Sequence, residues 1–235
     1  MAIVKGSNLS GKVGEKIHYN VNETERVRKS PEHVKQPGTD IQRAHWGAFT
    51  DIVRLSSQMS AAHKIGLAYP ARRNHTYPYL HFRSINKDCF TPEGNIDYPR
   101  VIISYGTVAP VVVTSVEIQE PDKSDCQTVT IHFDPCLSCS NSNPDDELYL
   151  FAFSPDRHAG ILTEPVPRIA GSHTVTLPSE WPSVASASRS TAHPTGIHLY
   201  AFLRCPGPTD ATPAEARSSA KNRRGQTSNT IYIPL

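Results

Sequence analysis

Along the second half of the chain, polar and apolar residues alternate with a period of two. The pattern is clearest in Val129-Thr130-Ile131-His132-Phe133, Thr174-Val175-Thr176-Leu177 and Thr230-Ile231-Tyr232-Ile233. That is the period of a strand with one buried face. The runs 148–153 and 197–203 are apolar on both faces, as strands in the middle of a packed sheet are. Seven strands are predicted, over 111–120, 127–133, 147–153, 160–166, 171–177, 197–204 and 229–235. Strands this short, separated by Pro/Asn/Asp/Ser turns, predict an antiparallel β-sandwich of the immunoglobulin or fibronectin type III kind.

The first half follows other periods. Ile41, His45, Ala48, Phe49, Ile52, Leu55, Met59 and Ala62 recur at spacings of three and four, the stripe of an amphipathic helix. Pro37-Gly38 breaks the chain before it, Thr39 or Asp40 can cap its start, and Gly66 ends it. A polar, basic break follows over 70–76. The stretch 77–89 then predicts a second short helix carrying Tyr79, Leu80, Phe82, Arg83 and Ile85, with a strand as the alternative because of its aromatic content. Residues 3–30 read as a short strand and a β-hairpin. Val13, Ile17 and Tyr19 line one face, with a slip at Glu15, Asn22-Glu23 makes the turn, and Pro31 stops the return strand.

Between the halves lies Ile96-Asp97-Tyr98, followed by the β-branched run Val101-Ile102-Ile103 and closed by Gly106 and Pro110. It reads as an extended linking strand that pairs with the N-terminal hairpin. The class is therefore α+β. Residues 1–108 form a basic hairpin-plus-helix region ending in the linking strand, and 109–235 form the sandwich. Three loops, 134–146, 178–196 and 205–228, exceed the usual length and are rich in Ser, Pro, Ala and Thr, a composition that predicts mobility. In an immunoglobulin-like topology the loops after the second and sixth strands share one end. This end would hold Cys136, Cys139 and Cys205, with Arg217, Lys221, Arg223 and Arg224 on the last loop.

The net charge of +2 hides an asymmetry: residues 1–90 carry 14 Lys/Arg against 7 Asp/Glu, and residues 91–235 carry 10 against 15. A basic half can contact nucleic acid, an acidic partner, or the acidic half of a neighbouring copy. The N-terminus has no apolar core of signal-peptide length, and no apolar run approaches the roughly 20 residues that span a bilayer. A cytoplasmic or virion-associated protein is expected. Five cysteines, an odd number, fit reduced thiols better than a disulfide framework.

Few motifs carry chemistry. Gly6-Ser-Asn-Leu-Ser-Gly11-Lys12-Val13 imitates a phosphate-binding loop but has Val13 where that loop needs Ser or Thr, and a hairpin follows instead of a helix. Cys136-x-x-Cys139 has the spacing of half a zinc site, which Cys205 or His132 could complete, but no second Cys-x-x-Cys exists. The 11 histidines form no His-x-x-x-His pair around a glutamate, and there is no Gly-x-Ser-x-Gly elbow. Lys12, Lys16, Arg26, Arg28 and Lys29 on the hairpin, with Arg72, Arg73 and Arg83 near Tyr77, Tyr79 and Phe82, could make a phosphate-plus-stacking surface. Interleaved Glu15, Glu23, Glu25 and Glu32 dilute it.

Gly11-Lys12-Val13-Gly14 through Arg26-Val27-Arg28-Lys29-Ser30-Pro31, then Gln42-Arg43-Ala44 through Phe49, then Ile96-Asp97-Tyr98 through Ile103-Ser104-Tyr105-Gly106 resemble an uncharacterised family of Bacteroidota proteins. The resemblance spans most of the chain and implies a Gly-Lys-x-Gly hairpin, a helix, an Ile-Asp-Tyr strand and a C-terminal β-sandwich. The chain departs from it in its long sandwich-loop insertions. It implies no catalytic or binding residues. The expected role is a non-enzymatic structural or interaction protein within a larger assembly, phage-related or cellular, bound to copies of itself or to another protein. No motif calls for a cofactor or a small-molecule substrate. The alternative is a nucleic-acid-binding module using the basic half.

Overall fold

A computed structural model describes residues 3–5, 8–21, 24–30, 38–90, 95–119, 126–182, 196–206 and 225–235. The N-terminal strands β1 (Ile3–Lys5), β2 (Asn8–Val13), β3 (Lys16–Val21) and β4 (Thr24–Lys29) form one antiparallel meander in chain order. The expected hairpin is therefore the core of a four-stranded sheet. The irregularity at Glu15 is a two-residue turn, with Gly14 at φ +58°, the left-handed region that glycine enters without steric cost. Val13 pairs with Lys16 and Lys12 with Ile17, so Val13 lies on the face opposite Ile17 and Tyr19 rather than beside them. The Asn22-Glu23 turn lies outside the described residues.

Among the described residues four α-helices follow: α1 (Asp40–Gln58), α2 (Ser60–Gly66), α3 (Ala68–Arg73) and α4 (Pro78–Ile85). Thr39 starts α1 with a capping box: its hydroxyl accepts the Gln42 N–H, and the Gln42 side chain accepts the Thr39 N–H. The single stripe read from the sequence is two helices, because Met59 leaves helical geometry at φ −92°, ψ 16°. Most of the expected polar break at 70–73 is helical. Pro70 is the third residue of α3, inside the first turn where no intrahelical N–H bond is needed. The expected helix, not the strand alternative, holds for 77–89: α4, with Pro78 at its first position, is followed by a 3-10 turn over Lys87–Cys89.

The remaining strands are β5 (Val112–Gln119), β6 (Gln127–Asp134), β7 (Glu147–Ser154), β8 (Ala159–Leu162), β9 (Val166–Pro167), β10 (Ser172–Leu177), β11 (His198–Arg204) and β12 (Ile231–Ile233). They build two antiparallel sheets, ordered β10-β6-β5 and β12-β11-β7-β8, with β9 also on β7. The strand predicted over 160–166 is split into β8 and β9 at Thr163. There the hydroxyl accepts the Leu150 N–H at 3.1 Å and contacts His173 Nε2 of the other sheet at 2.8 Å.

Alternation along β7 and β11 sends side chains into two cores. Leu148, Leu150, Ala152, Leu199, Ala201 and Leu203 meet Val129, Ile131, Phe133, Val175 and Leu177 of the opposing sheet. Tyr149, Phe151, Phe153, Tyr200 and Phe202 point the other way, onto Leu55, Met59, Ala62, Leu67 and Phe82 of the helices and onto Tyr98, Val101 and Ile103. The β12-β11-β7-β8 sheet is thus the middle layer of three, which is why its central strands are apolar on both faces. One aromatic core joins residues on both sides of position 108. Among the described residues no helix is long and apolar enough to cross a membrane.

The linking segment is not a strand. Tyr98–Arg100 is a 3-10 turn, and 101–111 runs irregularly along the pre-β12 segment. Asn86 meets both backbone groups of Ile102, and residues 227–230 meet those of Ile103, Ser104, Tyr105 and Val108. Thr230 Oγ1 accepts the Ile103 and Ser104 N–H groups at 2.9 and 2.8 Å. Thr227 Oγ1 lies 3.0 Å from both the Gly66 and Tyr105 carbonyls, and the Val108 N–H donates to the Thr227 carbonyl. A Cβ on Gly66 would lie 2.4 Å from the Ile103 carbonyl oxygen, and one on Gly106 1.9 Å from that of Thr227, so both glycines are there for close approach. The N-terminal sheet meets the α3–α4 turn instead of this segment: Arg26 donates to the His75 carbonyl at 3.0 Å and Tyr77 Oη to that of Asn20 at 2.8 Å.

Candidate interaction surface

The α1 stripe divides in the middle. From Ile52 onward its apolar residues are buried, and Leu55 and Met59 enter the aromatic core. Before Ile52 they are not: Ile41 is 72 % exposed, Trp46 57 % and Phe49 59 %. A helix of 19 residues is about 28 Å long at about 1.5 Å per residue, and only its C-terminal half reaches α2 and the sheet beneath. Arg43 secures the start by donating to the Gly38 carbonyl at 3.1 Å. Trp46 lies so close over Gly38 that a Cβ there would sit 2.5 Å from the ring.

Beside this overhang, α1 and α4 enclose a groove of about 200 Å3 lined by His45, Ala48, Phe49, Ile52, Arg83, Lys87 and Phe90. Its floor is apolar, and among the described residues its polar lining is two cations and a histidine without an acid. Arg83 stacks its guanidinium 4.9 Å from the Tyr79 ring centroid, while its Nε is buried without a hydrogen-bond partner. Tyr79 stacks in turn on Tyr77 at 5.7 Å, and both, with Leu80, stay exposed. The acids nearest on α1 are already engaged at i,i+3: Asp40 with Arg43 and Asp51 with Arg54.

The basic residues singled out in the sequence do not share one surface. Strand register puts Lys12, Arg26 and Arg28 on one face with Ile17 and Tyr19, and Lys16 and Lys29 on the other with Val13, His18 and Val27. On the first face Arg28 sits 5.8 Å over the Tyr19 ring. Arg72 and Arg73 end α3, exposed, just before the turn that β4 contacts. Arg217, Lys221, Arg223 and Arg224 lie outside the described residues, as does the Gly6-Ser7 start of the phosphate-loop imitation. Gly11–Val13 of that imitation end β2 and lead to another strand.

The four thiol and imidazole candidates for metal are not brought together. His132 is on the outer face of β6, 3.4 Å from Glu117; Cys205 is buried in the sandwich core; Cys136 and Cys139 span a turn in which the Cys139 N–H donates to the Cys136 carbonyl. Among the described residues no three His, Cys, Asp or Glu are grouped to hold a metal.

The 134–146 loop, expected to be mobile, is instead held by a residue the sequence did not reveal. Arg168 is fully buried, 3.2 Å from Asp146 Oδ2, and donates to the Pro135 carbonyl at 2.8 Å and to that of Ala109. Nothing local marks it, since its partners are 22 to 59 positions away. The loop reaches the end of β11 through Thr107: Asn141 donates to the Thr107 carbonyl, and Thr107 Oγ1 donates to Gln226.

A second group with unusual chemistry is structural. His198 stacks on Tyr98 at 4.3 Å and its Nδ1 lies 3.0 Å from Tyr232 Oη. Burial lowers its pKa to about 4, so at pH 7 it is a neutral member of an aromatic cluster. The same desolvation raises Tyr98 to about 12. No family model matches the chain, and neither the curated proteins nor the solved structures contain a match to it.

Proposed function

We propose that this chain is a structural or interaction protein that works without catalysis, as a component of a larger phage-related or cellular assembly in the cytoplasm or on a virion. The observation that carries the reading is the exposed first half of α1, where Ile41, Trp46 and Phe49 stand in water beside a cation-lined groove. Three large apolar side chains on one helix end, rimmed by polar residues, are the usual mark of an interaction site. The helical layer presents this surface from a rigid base, because it shares its core with the middle sheet.

We assign the sandwich to the immunoglobulin or fibronectin type III kind on its strand order. With β5, β6, β7, β8, β10, β11 and β12 lettered A, B, C, C′, E, F and G, the sheets read E-B-A and G-F-C-C′, the partition such folds use. Kinship with the Bacteroidota family is proposed on its sequence motifs.

Light scattering on the purified chain tests the assembly reading. A species well above monomer mass at low salt, shrinking as salt screens the charges, is expected. A strict monomer at high concentration and low salt refutes it. A second reading, a nucleic-acid-binding module, is supported by the Lys12, Arg26, Arg28 and Tyr19 face. It expects Arg28→Glu to weaken binding to DNA or RNA and reduce its salt slope; absence of retention on an anionic column at low salt removes it.

A further inference from the structure

We infer that the groove between α1 and α4 receives the acidic sandwich of a second copy, so that copies join head to tail. The inference rests on the assembly reading and names the surface and the occupant. An isologous dimer through this surface would set Arg83 and Lys87 against themselves, a like-charge juxtaposition that costs several kcal/mol. The occupant therefore brings acids to the groove and an apolar body to its floor.

The chain itself supplies that chemistry. Residues 91–235 carry 15 acids against 10 bases, and Glu117, Asp134, Asp156, Glu164 and Glu180 are exposed on the sandwich. Among the described residues the groove's lining has no acid, and the α1 acids beside it are paired within their helix. A carboxylate entering would meet the Arg83 and Lys87 side chains that line the groove. A contact between two different surfaces of identical copies is heterologous, so it propagates into a ring or a filament instead of closing at two.

The test uses the full chain carrying His45→Glu with Lys87→Glu, two exposed positions, and separately Phe49→Ser. Multi-angle light scattering at low salt should show at least a tenfold weaker association for both, with thermal unfolding unchanged. Such a variant keeps its sandwich but cannot receive one, so a sub-stoichiometric amount added to the wild type should shorten the wild-type species. Variants that assemble as the wild type does overturn the inference while leaving the assembly reading in place. A wild type that stops at a dimer, indifferent to added variant, overturns the head-to-tail geometry. A monomeric wild type overturns the assembly reading, and the inference with it.

Discussion

Replacing Arg168 by methionine tests whether the buried clamp organises its end of the sandwich. The side chain is fully buried and has three partners: the Asp146 carboxylate and the carbonyls of Pro135 and Ala109. Methionine fills much of the volume but donates nothing. Removing one member of a buried ion pair costs about 3–5 kcal/mol, because the other charge stays desolvated. Each carbonyl left without its donor adds about 1–3 kcal/mol where water cannot replace it. These terms overlap, and a total of about 5 kcal/mol is expected. For a chain of this size about 1 kcal/mol moves Tm by about 2–4 °C, so the melt followed by circular dichroism should fall by about 10–20 °C. The loss should be the same at low and high salt, since a dry pair is hardly screened. Arg168→Lys should recover only part of it, because an ammonium is a point donor and cannot reproduce the planar fork. Arg168→Met combined with Asp146→Asn should cost less than the two separate losses added together. A fall of under about 2 °C for Arg168→Met, or a loss that vanishes in high salt, would show that the clamp is not the stabilising element described.

Other consequences are simpler to read. Gly106→Ala places a methyl group against the Thr227 carbonyl and should destabilise by at least about 1–3 kcal/mol, measured by urea unfolding; a neutral result would mean the two segments can part freely. Acidification should weaken the fold between about pH 6.5 and 4. His198 is held neutral down to about pH 4 while its unfolded counterpart protonates near 6.5, so the unfolded chain binds the proton first. Two and a half pKa units amount to about 3 kcal/mol at most, and His198→Gln should flatten that part of the pH–stability curve. His63 and His173 are lowered by burial too and act in the same direction. Finally, Leu55→Ala should cost about 2–5 kcal/mol and Phe49→Ala within about 0.5 kcal/mol, although both lie on one predicted stripe. Equal losses in thermal melts would contradict the division of α1 into buried and exposed halves.

What could be read in advance was what is local. The period-two runs located the main strands, Thr39 was one of two cap candidates, and the doubly apolar β7 and β11 announced central strands of a packed sheet. They did not announce what lay on its second face. Tyr149, Phe151 and Phe153 look alike whether they meet a sheet or a helix, so the three-layer arrangement was hidden. The run 101–103 has every local mark of a strand, yet its N–H groups are taken in turn by the Tyr98 carbonyl, Asn86 Oδ1 and Thr230 Oγ1, and the last of these is a partner no window of sequence contains. Val13 was misplaced because a two-residue turn shifts the alternation by one, moving a residue to the opposite face. The basic residues looked like a patch along the chain, but the pleat divides them between two faces. The groove had one legible signal, the α1 stripe. That stripe does not say where the supporting protein stops.

The side-chain lacing between 101–108 and 226–230 also ties the folding of the helical layer to that of the sandwich. Thr227 and Thr230 come after β11 in the chain, yet they hold the segment that joins the helices to the middle sheet. The aromatic residues of β7 and β11 need the helices as cover, and the helices need those strands as support. An N-terminal piece ending near 108 and a C-terminal piece beginning there would each bare one side of the same aromatic layer to solvent. The helical layer therefore has no cover for its apolar side until β7 and β11 are in place. Helices and middle sheet therefore fold as one cooperative unit.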